Sequence, residues 1–298
     1  MRLTVLGSSG TYPAAGRACS GYLLEAGEGD QTTRVWVDTG PGTLSNLLRV
    51  AELPTLDAIW VSHLHVDHVG DLLAANYALR YGDFQPPPGP VPVFGPTDWV
   101  SHVRPFLSTG ESEPIDGTFE VHDLHDGERV DLGPLRLEAV ATVHSVETYG
   151  VRASAGGRTI AYSADSGSCD ALGRLADQAD LFVCEAAWTE WPEGVPPIHL
   201  TPQLAGEWAA KARARRLLLT HLRPGSDHEA AWTEWPEGVP PIHLTPQLAG
   251  EWAAKARARR LLLTHLRPGA DPAAAAAGAA EAYGGPVEIA TELEVHEL

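Results

Sequence analysis

Forty-one consecutive residues of this chain occur twice, letter for letter. Glu185 to Gly225 reads EAAWTEWPEGVPPIHLTPQLAGEWAAKARARRLLLTHLRPG, and Glu229 to Gly269 repeats it at an offset of 44. Solenoids usually need three or more repeats, and those drift in sequence. Two identical copies point instead to a recent tandem duplication, natural or engineered. In each copy Thr-Pro opens a helix, with Pro202 or Pro246 in its first turn, and Leu-Leu-Leu-Thr-His follows as a strand. One position in the fold therefore has two equally suited occupants. The expectation is a single domain over residues 1–298 in which one of the tandem copies, 185–225 or 229–269, is surplus. Copy one is favoured because it joins directly to the strand ending at Cys184 and is synthesised first. Copy two would then protrude, dock as a surface helix, or pair with another subunit in a homo-oligomer or swap.

The rest of the chain alternates strand and helix signals. Strands are expected at Leu3–Leu6, Gly21–Glu25, Arg34–Val37, Ala58–Val61, Val91–Phe94, Leu135–Thr142, Thr159–Ser163 and Leu181–Cys184. Helices are expected after Gly42, after Gly70, near Thr97–Leu107, at Cys169–Gln178 and at Pro272–Tyr283. That order argues for an α/β chain with two mixed sheets covered by helices. No run of 18 apolar residues is present, so no membrane span is expected. Met-Arg-Leu-Thr-Val-Leu-Gly reads as a first strand rather than a leader, and a cytoplasmic location is the expectation. Cys19, Cys169 and Cys184 are odd in number and far apart, which suggests small buried residues and no disulfide framework. A formal net charge of −18 repels polyanions and opposes general nucleic-acid binding. A small anionic substrate stays admissible, because a metal pair can dominate the local potential.

The chemistry is concentrated in Trp60-Val-Ser-His-Leu-His-Val-Asp-His-Val-Gly-Asp, which places His63, His65, Asp67 and His68 within six residues at the end of an apolar strand. Imidazole and carboxylate at this spacing suit Zn, Mn or Fe. His63 and His65 alternate along an extended strand end and can share one metal; Asp67 and His68, in the turn beyond, can reach a second. Two such ions about 3.5–4 Å apart can clamp a water and polarise a phosphoryl or carbonyl oxygen.

This segment resembles the signature of the metallo-β-lactamase superfamily. The resemblance implies an αββα sandwich with two divalent ions, Zn foremost, at the sheet edge. Under it, Val37-Asp38-Thr39-Gly40 matches the early D-x-G element. His144 fits the third histidine and Asp165 the bridging aspartate. The last ligand falls on Leu-Leu-Leu-Thr-His, as His221 or alternatively His265; at most one of the two can hold that position.

Within the superfamily the chain is most similar to the ribonuclease Z branch. Gly7-Ser-Ser-Gly-Thr-Tyr-Pro resembles its glycine-rich first turn. Leu181-Phe-Val-Cys-Glu resembles its H-E-A-T-F segment, with Glu185 matching and Cys184 in place of the histidine; His199 matches the histidine of its H-S-T segment. The resemblance implies catalytic roles for Asp67, Glu185 and His199, the last two holding a proton for the leaving oxygen. The arm with which that branch grips tRNA should fall between His144 and Asp165, where only 20 residues lie. The expected activity is therefore phosphodiester hydrolysis of a small phosphate ester, a cyclic nucleotide among the candidates, by a metal-bridging hydroxide. A lactonase or other ester hydrolase, with Tyr149 or Tyr162 at the site, is the alternative. A diiron redox protein is disfavoured by histidine at position 65, and a catalytically silent, metal-stabilised scaffold is a further alternative.

Overall fold

The computed structural model describes residues 1–85, 87–107, 115–188, 194, 196–221, 250–251, 254, 261–263, 272–285, 287–289, 293 and 295–297. Side chains alternating along the strands lay down the layers. In β2 (Gly21–Ala26), Tyr22, Leu24 and Ala26 enter one core and Leu23 a second. In β11 (Leu181–Glu185), Leu181 and Val183 enter that first core, while Phe182 and Cys184 enter a third. A period of two buried on both sides means a strand covered on both faces. Three cores accordingly separate four layers in the order helix, sheet, sheet, helix.

The first sheet runs β15-β1-β2-β3-β4-β5-β6. Its members are β1 (Arg2–Gly7), β2, β3 (Thr33–Val37), β4 (Ala58–Trp60), β5 (Val91–Gly95), β6 (Phe119–Asp123) and β15 (Val295–Glu297). The second runs β14-β13-β12-β11-β10-β9-β8-β7. It comprises β7 (Arg129–Leu132), β8 (Leu135–Ala141), β9 (Tyr149–Ala155), β10 (Arg158–Tyr162), β11, β12 (Leu217–Thr220), β13 (Leu261–Leu263) and β14 (Val287–Ile289). Helices α1 (Thr43–Leu47), α2 (Val66–Tyr81) and α3 (Trp99–Leu107) cover the first sheet through Leu47, Leu72 and Trp99. Helices α4 (Asp170–Ala176) and α5 (Pro202–Lys211) cover the second through Leu172, Leu175 and Trp208. A last helix, α6, spans Pro272–Tyr283. The Thr-Pro signal of copy one acts as read: Thr201 caps α5, its hydroxyl accepting from Leu204 N–H at 3.3 Å, and Pro202 occupies the first turn.

Two expectations are corrected. Helix α2 begins at Val66, inside the histidine motif, so Asp67 and His68 lie in a first helical turn rather than in a connecting turn. Gly70 misled as a helix start. It sits within the helix because a Cβ there would meet Pro41 Cγ at 2.8 Å. The second correction concerns the duplication. Copy two does not simply protrude: its Leu261–Leu263 lies in the second sheet as β13, parallel to β12, with β14 parallel on its far side. A parallel sheet accepts this because each helix–strand unit ends where the next can begin. His265 falls outside the described residues.

Candidate metal centre

In both sheets the strands near the middle are parallel, and their C-terminal ends open at one edge. Ligand-type residues follow those ends. Asp38 follows β3, His63 and His65 follow β4, Asp165 follows β10, Glu185 ends β11 and His221 follows β12. Such a crevice beyond parallel strand ends is where α/β sheets place their chemistry. His144 comes in from the loop after β8.

The structure brings the expected residues into three overlapping groups. His63, His65, His144 and Asp165 form the first, Asp67, His68 and His221 the second, and Asp165, His199 and His221 the third; within each, one ligand atom per residue lies within 4.8 Å of the others. His65 Nδ1 is 3.1 Å from His63 Nε2 and 3.2 Å from His144 Nε2. Asp165 stands between the groups. Its Oδ1 is 3.3 Å from His68 Nε2, and its Oδ2 is 3.1 Å from His221 Nε2 and 3.8 Å from both His63 Nε2 and His144 Nε2. Asp67 Oδ2 is 3.6 Å from His68 Nε2 and accepts the Thr11 N–H at 2.6 Å.

These donor atoms suit a divalent cation. His68 Nε2 and Asp165 Oδ1 are buried and, despite their proximity, have no hydrogen-bond partner. Two buried orphans at the centre of a cluster are costly unless something cationic sits between them. Burial pushes His63, His65, His144 and His221 below the ordinary imidazole value, toward the neutral form that ligates metals. His68 goes the other way, because Asp165, Asp38 and Asp67 outweigh its burial. Asp165 is held well below the usual carboxylate range, His221 and His68 outweighing its own burial.

Behind the cluster lies a hub that the sequence marked only as the D-x-G element. Asp38 is fully buried and takes four donors: Ser62 N–H at 2.8 Å, Ser62 Oγ–H at 2.9 Å, Tyr162 O–H at 2.7 Å and His68 Nδ1 at 2.7 Å. Ser62 Oγ in turn lies 3.0 Å from His63 Nδ1. Asp38 thus fixes two imidazoles through their outer nitrogens, as carboxylates behind metal-ligating histidines do. His144 is fixed in the same way by the Ile198 carbonyl at 2.9 Å, and His221 by Ser20 Oγ at 3.2 Å. Asp38, Ala164 and His221 hold φ of 56°, 54° and 57°, and Thr11 holds 66°. Left-handed backbone at four non-glycine residues on or beside one site is strain that the surrounding bonds must hold.

Glu185 and His199 adjoin the cluster as a pair, Nδ1 to Oε1 at 2.8 Å. The buried Glu185 carboxylate also accepts Ser166 N–H at 2.9 Å and Ala187 N–H at 3.0 Å, so it anchors the loop that carries Asp165. Burial lowers the His199 pKa, but Glu185 outweighs it and the net shift is upward. The tyrosines considered for a lactonase are otherwise engaged. Tyr162 is buried behind Asp38, and the Tyr149 hydroxyl donates to Glu147 at 2.7 Å.

The model of a "Beta-lactamase superfamily domain" matches residues 33–222. The uncharacterized protein Rv1339 of Mycobacterium tuberculosis is 38% identical over 232 residues, spanning 77% of this chain and 83% of its own. The probable metallo-hydrolase YhfI of Bacillus subtilis is 30% identical over 74% of this chain and 87% of its own. The crystal structure of YhfI superposes with a TM-score of 0.70 at 24% identity over 99% of both chains. Ribonuclease Z of Myxococcus xanthus is 28% identical over 76% of this chain and 88% of its own.

Proposed function

The chain belongs to the beta-lactamase superfamily and is a metallo-hydrolase within it, and from that premise we propose that it is a dinuclear phosphodiesterase acting on a small phosphate ester. The observation that carries this reading is the position of Asp165. Its Oδ2 lies 3.8 Å from both His63 Nε2 and His144 Nε2, and the same carboxylate reaches His68 Nε2 at 3.3 Å through Oδ1 and His221 Nε2 at 3.1 Å through Oδ2, so one side chain touches both sets of histidines. His63, His65 and His144 would hold the first ion, Asp67, His68 and His221 the second, and Asp165 would bridge them. Bound there, Zn, or else Mn or Fe, would supply Lewis acidity toward a phosphoryl oxygen and lower the pKa of a water to near neutrality.

The chain's own residues supply the rest. Asp67, tied to the Thr11 N–H through Oδ2, is kept from swinging away from the cluster. His199, whose pKa the adjacent Glu185 carboxylate raises, is the group placed to donate a proton to the departing alkoxide. A proton donor beside a metal pair suits a phosphodiester, whose leaving oxygen is a poor leaving group unless protonated. The β9–β10 hairpin, which turns through Gly156 and Gly157 between His144 and Asp165, leaves no length for a nucleic-acid-gripping arm, and this favours a small substrate. The net charge of −18 supports the same reading.

The test couples metal analysis to a substrate panel of bis-p-nitrophenyl phosphate, cyclic nucleotides and an acyl-lactone. The expected result is about two transition-metal equivalents per chain, turnover of the phosphodiesters, and loss of turnover with retained circular dichroism in Asp67→Ala. Full phosphodiesterase turnover in Asp67→Ala, or turnover of the lactone alone, overturns the proposal.

A further inference from the structure

Under the cluster, two tyrosines cross between the sheets in opposite directions. Tyr22, on β2 of the first sheet, shares a short hydrogen bond with the Thr220 hydroxyl at the end of β12 in the second. Tyr162, at the end of β10 in the second sheet, donates to Asp38 Oδ2 beyond β3 in the first, at 2.7 Å. Their rings pack against each other at 5.0 Å between centroids, and both are buried. Each hydroxyl ends beside a metal-site imidazole of the opposite sheet. Thr220 immediately precedes His221, and Asp38 holds His68 Nδ1.

We propose that Tyr22 and Tyr162 form a reciprocal cross-sheet clasp that sets the spacing between His68 and His221, whose rings lie 5.0 Å apart, and thereby tunes the second metal position. That position draws Asp67 and His68 from the segment after β4 and His221 from the end of β12, so sliding one sheet against the other changes its size directly. The apolar side chains packed between the sheets hold them together, but the hydrophobic effect is non-directional and does not itself specify how Thr220 and Asp38 face each other across the gap. Two hydrogen bonds of opposite sense resist sliding along a defined line. His221 is also where the backbone is left-handed, φ 57°, so its orientation needs an external hold on Thr220. The tyrosines are positioning residues: neither hydroxyl contacts a ligand-type side chain of the cluster except through Asp38 or the Thr220 backbone.

The inference rests on the two-ion reading, and the experiment separates the two. Metal-free protein is titrated with Co²⁺, following its visible absorption and calorimetric affinity, for the unaltered chain, Tyr22→Phe, Thr220→Val, Thr220→Ser and Tyr22→Phe/Thr220→Val. We expect the second equivalent to bind roughly 10- to 100-fold more weakly in Tyr22→Phe and in Thr220→Val, as for other residues that orient metal ligands. The first equivalent should be little changed, the double variant no worse than either single one, and Thr220→Ser close to the parent. If the unaltered chain binds fewer than two equivalents, the two-ion reading fails. If it binds two and Tyr22→Phe and Thr220→Val lower only the melting temperature, the clasp is merely structural and this inference fails. Should Tyr22→Phe not fold, the contrast between Thr220→Val and Thr220→Ser decides alone.

Discussion

Leu218 lies beside Leu262, its counterpart 44 positions on, in the parallel ladder between β12 and β13. Leu217 and Leu261 pair in the same register, so the two copies meet like with like. On the side of β12 away from its copy stands β11, and on the side of β13 away from its copy stands β14. A single Leu-Leu-Leu strand could meet both neighbours with the same side chains that meet them now.

The first prediction is that one copy is dispensable. Removing 44 residues leaves 254, and removing Glu185–His228 or Ser226–Gly269 yields the same sequence. That shorter chain should fold, retain its metal and keep turnover within a few-fold of the parent. Gel filtration, metal analysis and kinetics check it; an insoluble or metal-free product would show that the second copy is required.

The second prediction concerns the ligand. His221 is 3.1 Å from Asp165 Oδ2 and 3.8 Å from Asp67 Oδ2, so His221→Ala should lose metal and activity while His265→Ala keeps both. Losses confined to His265→Ala would assign the site to copy two. Equal partial losses would mean that the copies exchange.

The third prediction concerns His199. His199→Ala should cost about 10²–10⁴-fold for phosphodiesters with alkoxide leaving groups. It should cost far less for bis-p-nitrophenyl phosphate, whose phenolate leaves without a proton. The sign of the pH effect follows from the raised His199 pKa. The acid form survives to higher pH than in an ordinary histidine, so activity falls as pH rises through that value. Glu185→Gln removes the cause and should move the fall to lower pH. Equal losses for both leaving groups would remove His199 from the proton transfer.

Four residues deliver the metal motif to the site, yet a glycine outside it holds them close. A Cβ on Gly40 would sit 2.1 Å from the Asp67 carbonyl oxygen and 2.7 Å from both Cys19 Cβ and the Ser20 carbonyl oxygen. The fourth prediction is that Gly40→Ala destabilises the protein by about 1–3 kcal/mol, as overpacking does, and weakens metal binding by displacing Asp67. Urea unfolding with and without chelator measures both; an unchanged midpoint would show that the loop yields freely.

The metal-type side chains were legible because four of them are contiguous in type and spacing, and because each remaining one follows an apolar strand. Copy one's helix was legible from Thr201 and Pro202, a local signal. What could not be read is what depends on distant partners. The role of Asp38 is defined by donors at positions 62, 68 and 162, and Tyr22 has its meaning only beside Thr220. Strand β9 was missed because Gly150 and Arg152 interrupt its apolar run. Gly150 is needed there, since a Cβ would stand 2.7 Å from the Tyr162 carbonyl oxygen. Strand β7 alternates exposed and half-buried residues at a sheet edge, and such a pattern carries little hydrophobic contrast.

The in-register meeting of the two copies also says something about tolerance. Strand β13 extends the parallel ladder past β12, on the side away from β11, so the expected effect of a change of dozens of residues is one more rung beside the site and an unaltered crevice. A single methyl group at Gly40 reaches the crevice at once. In this protein the size of a genetic change is therefore a poor guide to its consequence; what counts is whether the change adds to the ladder or presses on the helical turn that carries Asp67.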